Sequence, residues 1–174
     1  DGILPEAVIV HPQIRVSDAL PMCAAALALL VVEQTARALG VDRADDGCVE
    51  LAALATVTDL MPLHGANRSL VKSGVARMGT TSNLGLSALI DAVGLDRMTI
   101  DSRTFGFSIG PRINAAGRVR AAAAALELLL ATDRERATVL AEDLCAANVE
   151  RREIQQRVLF EAEAQAASFP DSAG

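Results

Sequence analysis

Asp59 is a single carboxylate in an otherwise apolar stretch, T-V-T-D-L-M-P-L, and is the first residue that could do chemistry. Pro62 interrupts the helical spacing just after it. A carboxylate among apolar residues is costly unless it is paired or binds a metal ion, because it loses hydration. A helix cap or a turn is the simpler interpretation, since a metal site needs further ligands from elsewhere.

A second group of polar side chains lies in G-P-R-I-N-A-A-G-R, where two arginines and an asparagine stand among small residues. The guanidinium groups of Arg112 and Arg118 are forked donors suited to phosphate, and Asn114 can bridge between them. Gly117 and the neighbouring alanines let a backbone approach a ligand closely, and Arg120 adds charge nearby. Composition leaves two interpretations equally open, a phosphate-binding loop and a surface loop with solvated arginines.

A third group, H-G-A-N-R-S-L-V-K-S-G, contains His64, Asn67 and Arg68. A turn followed by the start of a helix is the favoured interpretation. His11 and His64 are the only histidines, and their separation is not that of a metal-binding pair on one helix. The sequence has no P-loop and no G-x-G-x-x-G, which argues against a nucleotide-binding loop.

The composition limits the class of protein. Of 174 residues, 51% are hydrophobic and 22% charged, which excludes disorder for most of the chain and predicts one domain. The net charge of −6 excludes a general electrostatic grip on nucleic acid but not a local basic pocket. Aromatic residues are only 2%, which disfavours base-stacking platforms. Three widely spaced cysteines and no apolar run long enough for a bilayer predict a protein of the reducing cytoplasm.

The elements that position these residues are mostly helices. A run of β-branched residues over 7–11 predicts one buried strand at the edge of a parallel sheet. Apolar spacing, caps and breakers predict helices over 21–39, 48–54, 67–78, 84–93, 121–130 and 133–167. The last helix would be roughly 50 Å long, which is typical of a connector that protrudes from a small domain.

Residues 99–120 have no regular pattern. Asp101 or Ser102 can cap a turn of helix. Helix-disfavouring residues then follow at short intervals: Gly106, Gly110, Pro111 and Gly117. We therefore expect an interrupted, arginine-rich loop here.

Six segments along the chain resemble the RecJ family of exonucleases within the DHH phosphoesterase superfamily. L-A-T-V-T-D-L-M-P-L is similar to the family's fourth motif, and G-A-N-R-S-L-V-K-S-G to the stretch that follows it. F-G-F-S-I-G-P-R-I-N-A-A-G-R is similar to the most recognisable segment of the family. A-L-E-L-L-L-A-T-D and N-V-E-R-R-E-I-Q resemble the start of its long connecting helix, and A-V-I-V-H-P its strand after the DHH motif.

The resemblance implies an α/β, helix-rich fold with a parallel sheet flanked by helices. Residues 1–131 would be the C-terminal part of a DHH catalytic domain, 132–169 a connector helix towards a DHHA1 domain, and 170–174 a tail. The family's DxD, further Asp and DHH motifs are not in these residues, so we expect them upstream in a longer polypeptide. The sequence also departs from the family at His11, where Asn is usual, and near Cys23, where glycines are usual.

The resemblance also implies roles for the residues singled out above. Asp59 would be a catalytic metal ligand in a site for two Mn²⁺ or Mg²⁺ ions whose other ligands lie upstream. Phosphate or DNA would be bound by Arg112, Asn114, Gly117 and Arg118, with Arg118 the strongest candidate for a terminal phosphate. Further candidates for this binding are His64, Asn67, Arg68 and Arg120.

The function implied is part of a metal-dependent 5′→3′ exonuclease on single-stranded DNA, acting in DNA repair and recombination. Its partners would be single-stranded DNA, a single-strand-binding protein and a recombination helicase, with no membrane. We expect the fragment alone to be inactive. Two alternatives remain open: a DHH phosphodiesterase for short oligonucleotides or cyclic dinucleotides, and a catalytically inactive DHH-like scaffold.

Overall fold

The computed structural model describes residues 9–11, 20–41, 47–119 and 122–168. Its elements are the helices α1 (Ala24–Leu39), α2 (Cys48–Thr58), α3 (Gly65–Met78), α4 (Leu84–Val93), α5 (Ser102–Thr104), the π-helical turn π1 (Phe105–Ile109), α6 (Gly110–Val119), α7 (Ala123–Leu129) and α8 (Arg134–Ser168). The expected helix-rich architecture is confirmed. The chain folds into two compact units, whereas its length predicts one domain.

The predicted parallel sheet is not seen in the part of the chain that the structure describes. Residues 9–11 of the predicted strand are not in a strand, and Ile9 and Val10 are exposed. Residues 7 and 8 lie outside the described residues. A strand satisfies its backbone groups only beside another strand, and the described ranges contain no second strand with which residues 9–11 could pair.

The first unit comprises Asp1–Ser82 and Arg97–Gly106, as far as these residues are described. Its centre is the packing of α3 on α2, and α1 also packs against α2. The helices approach closely at Gly74, where a Cβ atom would collide with the Cβ of Ala53. The carboxylate of Glu50 is buried in this contact, with the Nε of Arg77 at 3.7 Å.

The second unit comprises Asn83–Asp96 and Phe107–Gly174, again as far as described. Here α4, α6 and α7 pack on the N-terminal half of α8. Five small or branched residues of α8 are buried in this packing: Ala137, Leu140, Ala141, Leu144 and Ala147. The whole of α8 is 35 residues long, about 52 Å. Over its second half, from 149 to 167, no side chain is buried. The long helix predicted from the sequence is therefore confirmed.

Local capping explains where several helices begin and end. The side chain of Asn83 caps α4, because its Oδ1 accepts a hydrogen bond from the N–H of Leu86 at 2.9 Å. Gly40 and Gly94 end α1 and α4 in the left-handed conformation, with φ of 63° and 71°. The ends predicted for these two helices are correct. α1 begins at Ala24 rather than at Pro21, and α2 extends four residues beyond Leu54.

None of the helices within the described ranges is long and apolar enough to cross a lipid bilayer.

Candidate functional site

Asp59 is the C-cap of α2, directly after Thr58, and the chain leaves the helix there in a left-handed turn. The N–H of Leu60 donates to the carbonyl of Val57, and the N–H of Met61 donates to the carbonyl of Thr56, both at 3.1 Å. This pattern is the Schellman motif, whose left-handed position is usually a glycine. Here Leu60 takes it with φ of 56°, and its side chain is 88% exposed. The strain therefore lies at the residue directly after the candidate metal ligand.

The Asp59 side chain is exposed, and its carboxylate has no hydrogen-bond or ion-pair partner among the described residues. The C-terminus of a helix carries partial negative charge, so an unpaired carboxylate there is unfavourable. A bound cation would remove that repulsion. The cap interpretation holds for the Asp59 backbone, whose N–H donates to the carbonyl of Ala55, but not for its side chain.

Asp59 could supply one ligand to a divalent metal ion, but it cannot form a metal site alone. The described residues contain no group of three or more His, Cys, Asp or Glu side chains that could hold a metal ion. His11 and His64 are both exposed, and His64 precedes α3 without capping it through its side chain. The remaining ligands of a two-metal site would therefore have to come from outside the described residues.

Asn67 holds two chain segments together rather than facing solvent. Its Nδ2 donates to the carbonyls of Pro21 at 2.9 Å and Pro62 at 3.1 Å. The residue is completely buried (0% exposed), and its Oδ1 has no partner in the described structure. These contacts make Asn67 a positioning residue for the loop that follows Asp59, and its part in binding DNA stays a prediction.

Arg68, the residue after Asn67 in α3, is exposed and lines a cleft. Lys72, one helical turn further on, lines the same cleft and was not among the predicted site residues. The signal that could have found it is the spacing of four residues between two cations, which places both on one face of a helix.

Residues 102–119 are helical throughout, where an interrupted loop was predicted. Asp101 begins this run as predicted, with a capping box in which its Oδ1 accepts from the N–H of Thr104 at 2.8 Å. The hydrogen bonds from Thr104, first from its backbone N–H and then from its hydroxyl, lower the pKa of the Asp101 carboxyl. The helix continues because Phe105, Ile109 and Ala115 are completely buried, which outweighs the poor helix propensity of glycine.

A wide π-helical turn accommodates Pro111 within this run. Proline has no N–H, and its ring clashes with the carbonyl four residues earlier in an α-helix. The π1 turn, Phe105–Ile109, lies directly before Gly110 and Pro111. π-Helical turns are rare and frequently mark functional sites.

The helical conformation separates the polar residues of α6. At about 100° per residue, Asn114, Gly117 and the Cα of Arg118 share one face, whereas Arg112 lies about 160° from Asn114. Asn114 and Gly117 are exposed. Arg112 is half-buried, its Nη1 donates to the carbonyl of Ser108 at 2.6 Å, and its buried Nε has no partner among the described residues. Arg120 lies outside the described residues.

The candidate residues thus fall into two sets. Asp59, His64, Asn67 and Arg68 belong to the first unit, and the α6 residues belong to the second. Cys23, Cys48 and Cys145 are free cysteines.

Curated proteins similar to this chain are single-stranded-DNA-specific exonucleases. The RecJ exonuclease of Bacillus subtilis is 38% identical over 117 residues, which cover 67% of this chain and 15% of that protein. RecJ of Thermus thermophilus is 35% identical over 155 residues, 89% of this chain and 23% of that protein. The chain therefore spans less than a quarter of the length of these relatives.

Solved structures agree with the sequence comparison. A crystal structure of T. thermophilus RecJ in complex with Mn²⁺ matches 95% of this chain with a TM-score of 0.84 and 33% identity, covering 25% of that chain. A structure of exonuclease RecJ bound to manganese matches 95% of this chain with a TM-score of 0.86 and 34% identity, covering 42% of that chain. No family model matches the sequence. The resemblance to RecJ predicted from the motifs is confirmed.

Proposed function

Because the chain is similar to a segment of RecJ in sequence and structure, we propose that it is part of a metal-dependent exonuclease that hydrolyses single-stranded DNA from the 5′ end. Residues 1–131 would complete a DHH catalytic domain whose parallel sheet includes the strand at 7–11. Residues 132–169 would form the connector, with 170–174 as a tail. The whole protein would act in DNA repair and recombination in the cytoplasm.

The observation that carries the proposal is the exposed, unpaired carboxylate of Asp59 at a helix C-terminus, in a chain whose structural relatives are complexes with Mn²⁺. Asp59 would be one ligand of a pair of Mn²⁺ or Mg²⁺ ions. When bound, such ions activate water and offset the charge that develops on the phosphodiester. The buried Asn67 holds the segment that follows Asp59 through Pro62, so that this carboxylate is presented from a fixed position.

The polar face of α6 supports phosphate binding in the second unit. Asn114 and Gly117 are exposed on it, and Arg118 shares their face by its position in the helix. Arg118 remains our candidate for the terminal phosphate. Arg112 would act differently, because its guanidinium is half-buried and one N–H already donates to Ser108. We propose that Arg112 instead stabilises the π1 turn before α6.

The partners proposed for the whole protein follow from its substrate. An enzyme that degrades single strands needs a helicase to expose them, and it meets single strands already covered by a single-strand-binding protein. Single-stranded DNA itself would be bound locally, since the net charge of −6 does not attract polyanions in general.

The experiment is Mn²⁺-dependent digestion of 5′-phosphorylated single-stranded DNA. The present chain is compared with a polypeptide extended upstream through the expected DxD and DHH motifs. We expect activity only in the extended protein, and Asp59→Ala to lower its rate at least about 100-fold, because metal binding supplies several kcal/mol of transition-state stabilisation. Asp143→Ala, which removes an exposed carboxylate on α8, is the matched control and should leave the rate unchanged.

The result distinguishes the proposal from its rivals. An extended protein that cleaves dinucleotides but not long strands would be a phosphodiesterase for short substrates. An extended protein without activity on either would be a scaffold. Asp59→Ala with a normal rate would remove Asp59 from the metal site.

A further inference from the structure

A cleft of about 320 Å³ lies along α3 in the first unit. Its apolar wall is formed by Leu63, Val71 and Val75. Its polar wall is formed by Arg68, Lys72, Asp101 and Ser102. We call it the α3 cleft.

The α3 cleft carries a net positive charge, because two cations and one carboxylate line it. Arg68 and Lys72 are four residues apart on α3 and therefore lie next to each other on its surface. Neither has an ion-pair partner within the described ranges. Asp101 reaches the same cleft, but its Oδ1 already accepts the N–H of Thr104 at 2.8 Å and its hydroxyl at 2.9 Å. The pair of cations is therefore suited to an anion from outside.

The surroundings of these cations favour a nucleic-acid strand over a lone ion. Two neighbouring cations suit the repeated phosphates of a strand, since Arg and Lys bind nucleic acid chiefly through its phosphates, without reading the bases. The cleft also begins close to the proposed catalytic carboxylate. Leu63 follows Asp59 by four residues, so their Cα atoms can be no further apart than about 14 Å.

We propose that the α3 cleft binds the sugar-phosphate backbone of single-stranded nucleic acid, with Arg68 and Lys72 contacting phosphate and the Ser102 hydroxyl as a further donor. This proposal rests on the proposed exonuclease function and extends it, because it names where the strand lies beside Asp59. It also adds Lys72 and Ser102 to the binding residues.

Lys72 permits a specific test, because it is the only lysine in the sequence. The chain is treated with an amine-acylating reagent, with and without an oligothymidylate, in EDTA so that no cleavage occurs. Mass spectrometry of the peptide that contains Lys72 then measures its acylation. We expect the oligonucleotide to slow acylation of Lys72, and thymidine monophosphate or inorganic phosphate at equal phosphate concentration to have little effect.

The affinity of the same oligothymidylate, measured by fluorescence anisotropy in EDTA, provides the second readout. Lys72→Gln and Arg68→Gln should each weaken binding about 2- to 5-fold, as expected for one exposed charge contact. The slope of log K against log salt should fall by about 0.7 for each, the value for one phosphate of a single strand. Lys72→Arg should retain binding, and Arg157→Gln, an exposed arginine far along α8, should not change it.

Three outcomes would overturn the proposal: no protection of Lys72, unchanged affinity in both glutamine variants, or equal protection by inorganic phosphate, which would make the cleft a site for free phosphate. Failure of the extended protein to digest DNA is a separate result. It would overturn the exonuclease function while leaving strand binding, measured without metal, intact.

Discussion

Replacing Asn67 by Asp tests whether a buried amide holds the loop that carries the candidate metal ligand. The two side chains have nearly the same shape, so the change removes donors without opening a cavity. In the native protein the Nδ2 group donates to the carbonyls of Pro21 and Pro62 at 2.9 and 3.1 Å. In Asn67→Asp at neutral pH, a carboxylate oxygen would face both carbonyl oxygens instead.

The expected loss of stability follows from these contacts. Each hydrogen bond contributes about 1 kcal/mol net, so removal of both costs about 2 kcal/mol, which is the loss expected for Asn67→Ala. Asn67→Asp should lose more, at least about 3 kcal/mol, because a charge is also buried without a partner at a position that is 0% exposed. A loss of this size is a large part of the 5–15 kcal/mol by which typical domains are stable.

Urea unfolding measures the change, with the slope m compared to show that the unfolded state is the same. Asn114→Asp makes the identical chemical change at an exposed position and should stay within about 0.5 kcal/mol of the parent. Amide hydrogen exchange at Leu60 and Met61 should become faster in Asn67→Asp, because the loop loses its tether at Pro62. A loss below about 0.5 kcal/mol, or a smaller loss for Asp than for Ala, would refute the reasoning.

Two further perturbations concern Leu60 and Asp101. Leu60→Gly should raise the free energy of unfolding by about 0.5–1 kcal/mol in thermal unfolding, because glycine relieves the left-handed strain and the exposed leucine side chain makes little contact. Leu60→Ala keeps the Cβ atom and should not raise it. A decrease for Leu60→Gly would show that the leucine side chain packs. Because the folded pKa of Asp101 is lowered, its cap should stabilise the fold above the ordinary value of 3.8 and lose this effect as the pH falls through the folded pKa. An NMR titration should give a midpoint below 3.8 that moves partly upward in Thr104→Val, which removes the hydroxyl but keeps the backbone N–H. An unchanged midpoint in that variant would exclude the Thr104 hydroxyl as a cause.

The helices that were predictable from the sequence are those fixed by local rules. The bounds of α4 follow from Asn83 and Gly94, because an amide cap and a left-handed glycine act within one turn of the helix. The end of α2 was not predictable in this way. Leucine at position 60 has no preference for the left-handed conformation, so the sequence around it pointed to Pro62 as the break instead.

The helix over 102–119 was not predicted from the sequence, because only the glycines and the proline were weighed. The apolar residues between them are buried, and this burial stabilises the helix. Phe105 and Ile109 are four residues apart and completely buried, and this spacing is the signal that predicts a helix. The burial of Asn67 was also beyond local rules. Its hydrogen bond to Pro21 joins residues that are 46 positions apart, and only the tertiary packing of the first unit brings them together.

The candidate site was predictable in part. The apolar context of Asp59 predicted a carboxylate that loses hydration and needs a partner, whereas the structure leaves the side chain exposed and unpaired within the described residues. Its role as a metal ligand stays a prediction that rests on the resemblance. Lys72 was not predicted, since a lysine on an exposed helix face is ordinary by composition. Its importance depends on the cleft that it lines together with Asp101 and Ser102, which come from a segment about 30 residues further along the chain.

The π1 turn is where this helical run can change in length. A π-helical turn holds one residue more than an α-helical turn, so deleting one residue from Phe105–Ile109 while the turn rewinds as an ordinary α-helix would leave the orientation of α6 nearly unchanged. Asn114 and Gly117 would then keep their present face. Deleting one residue between Pro111 and Asn114, within regular α-helix, would instead rotate everything after it by about 100° and shift it by about 1.5 Å along the axis. Homologues that keep the same polar face can therefore differ by one residue at π1 but not within α6.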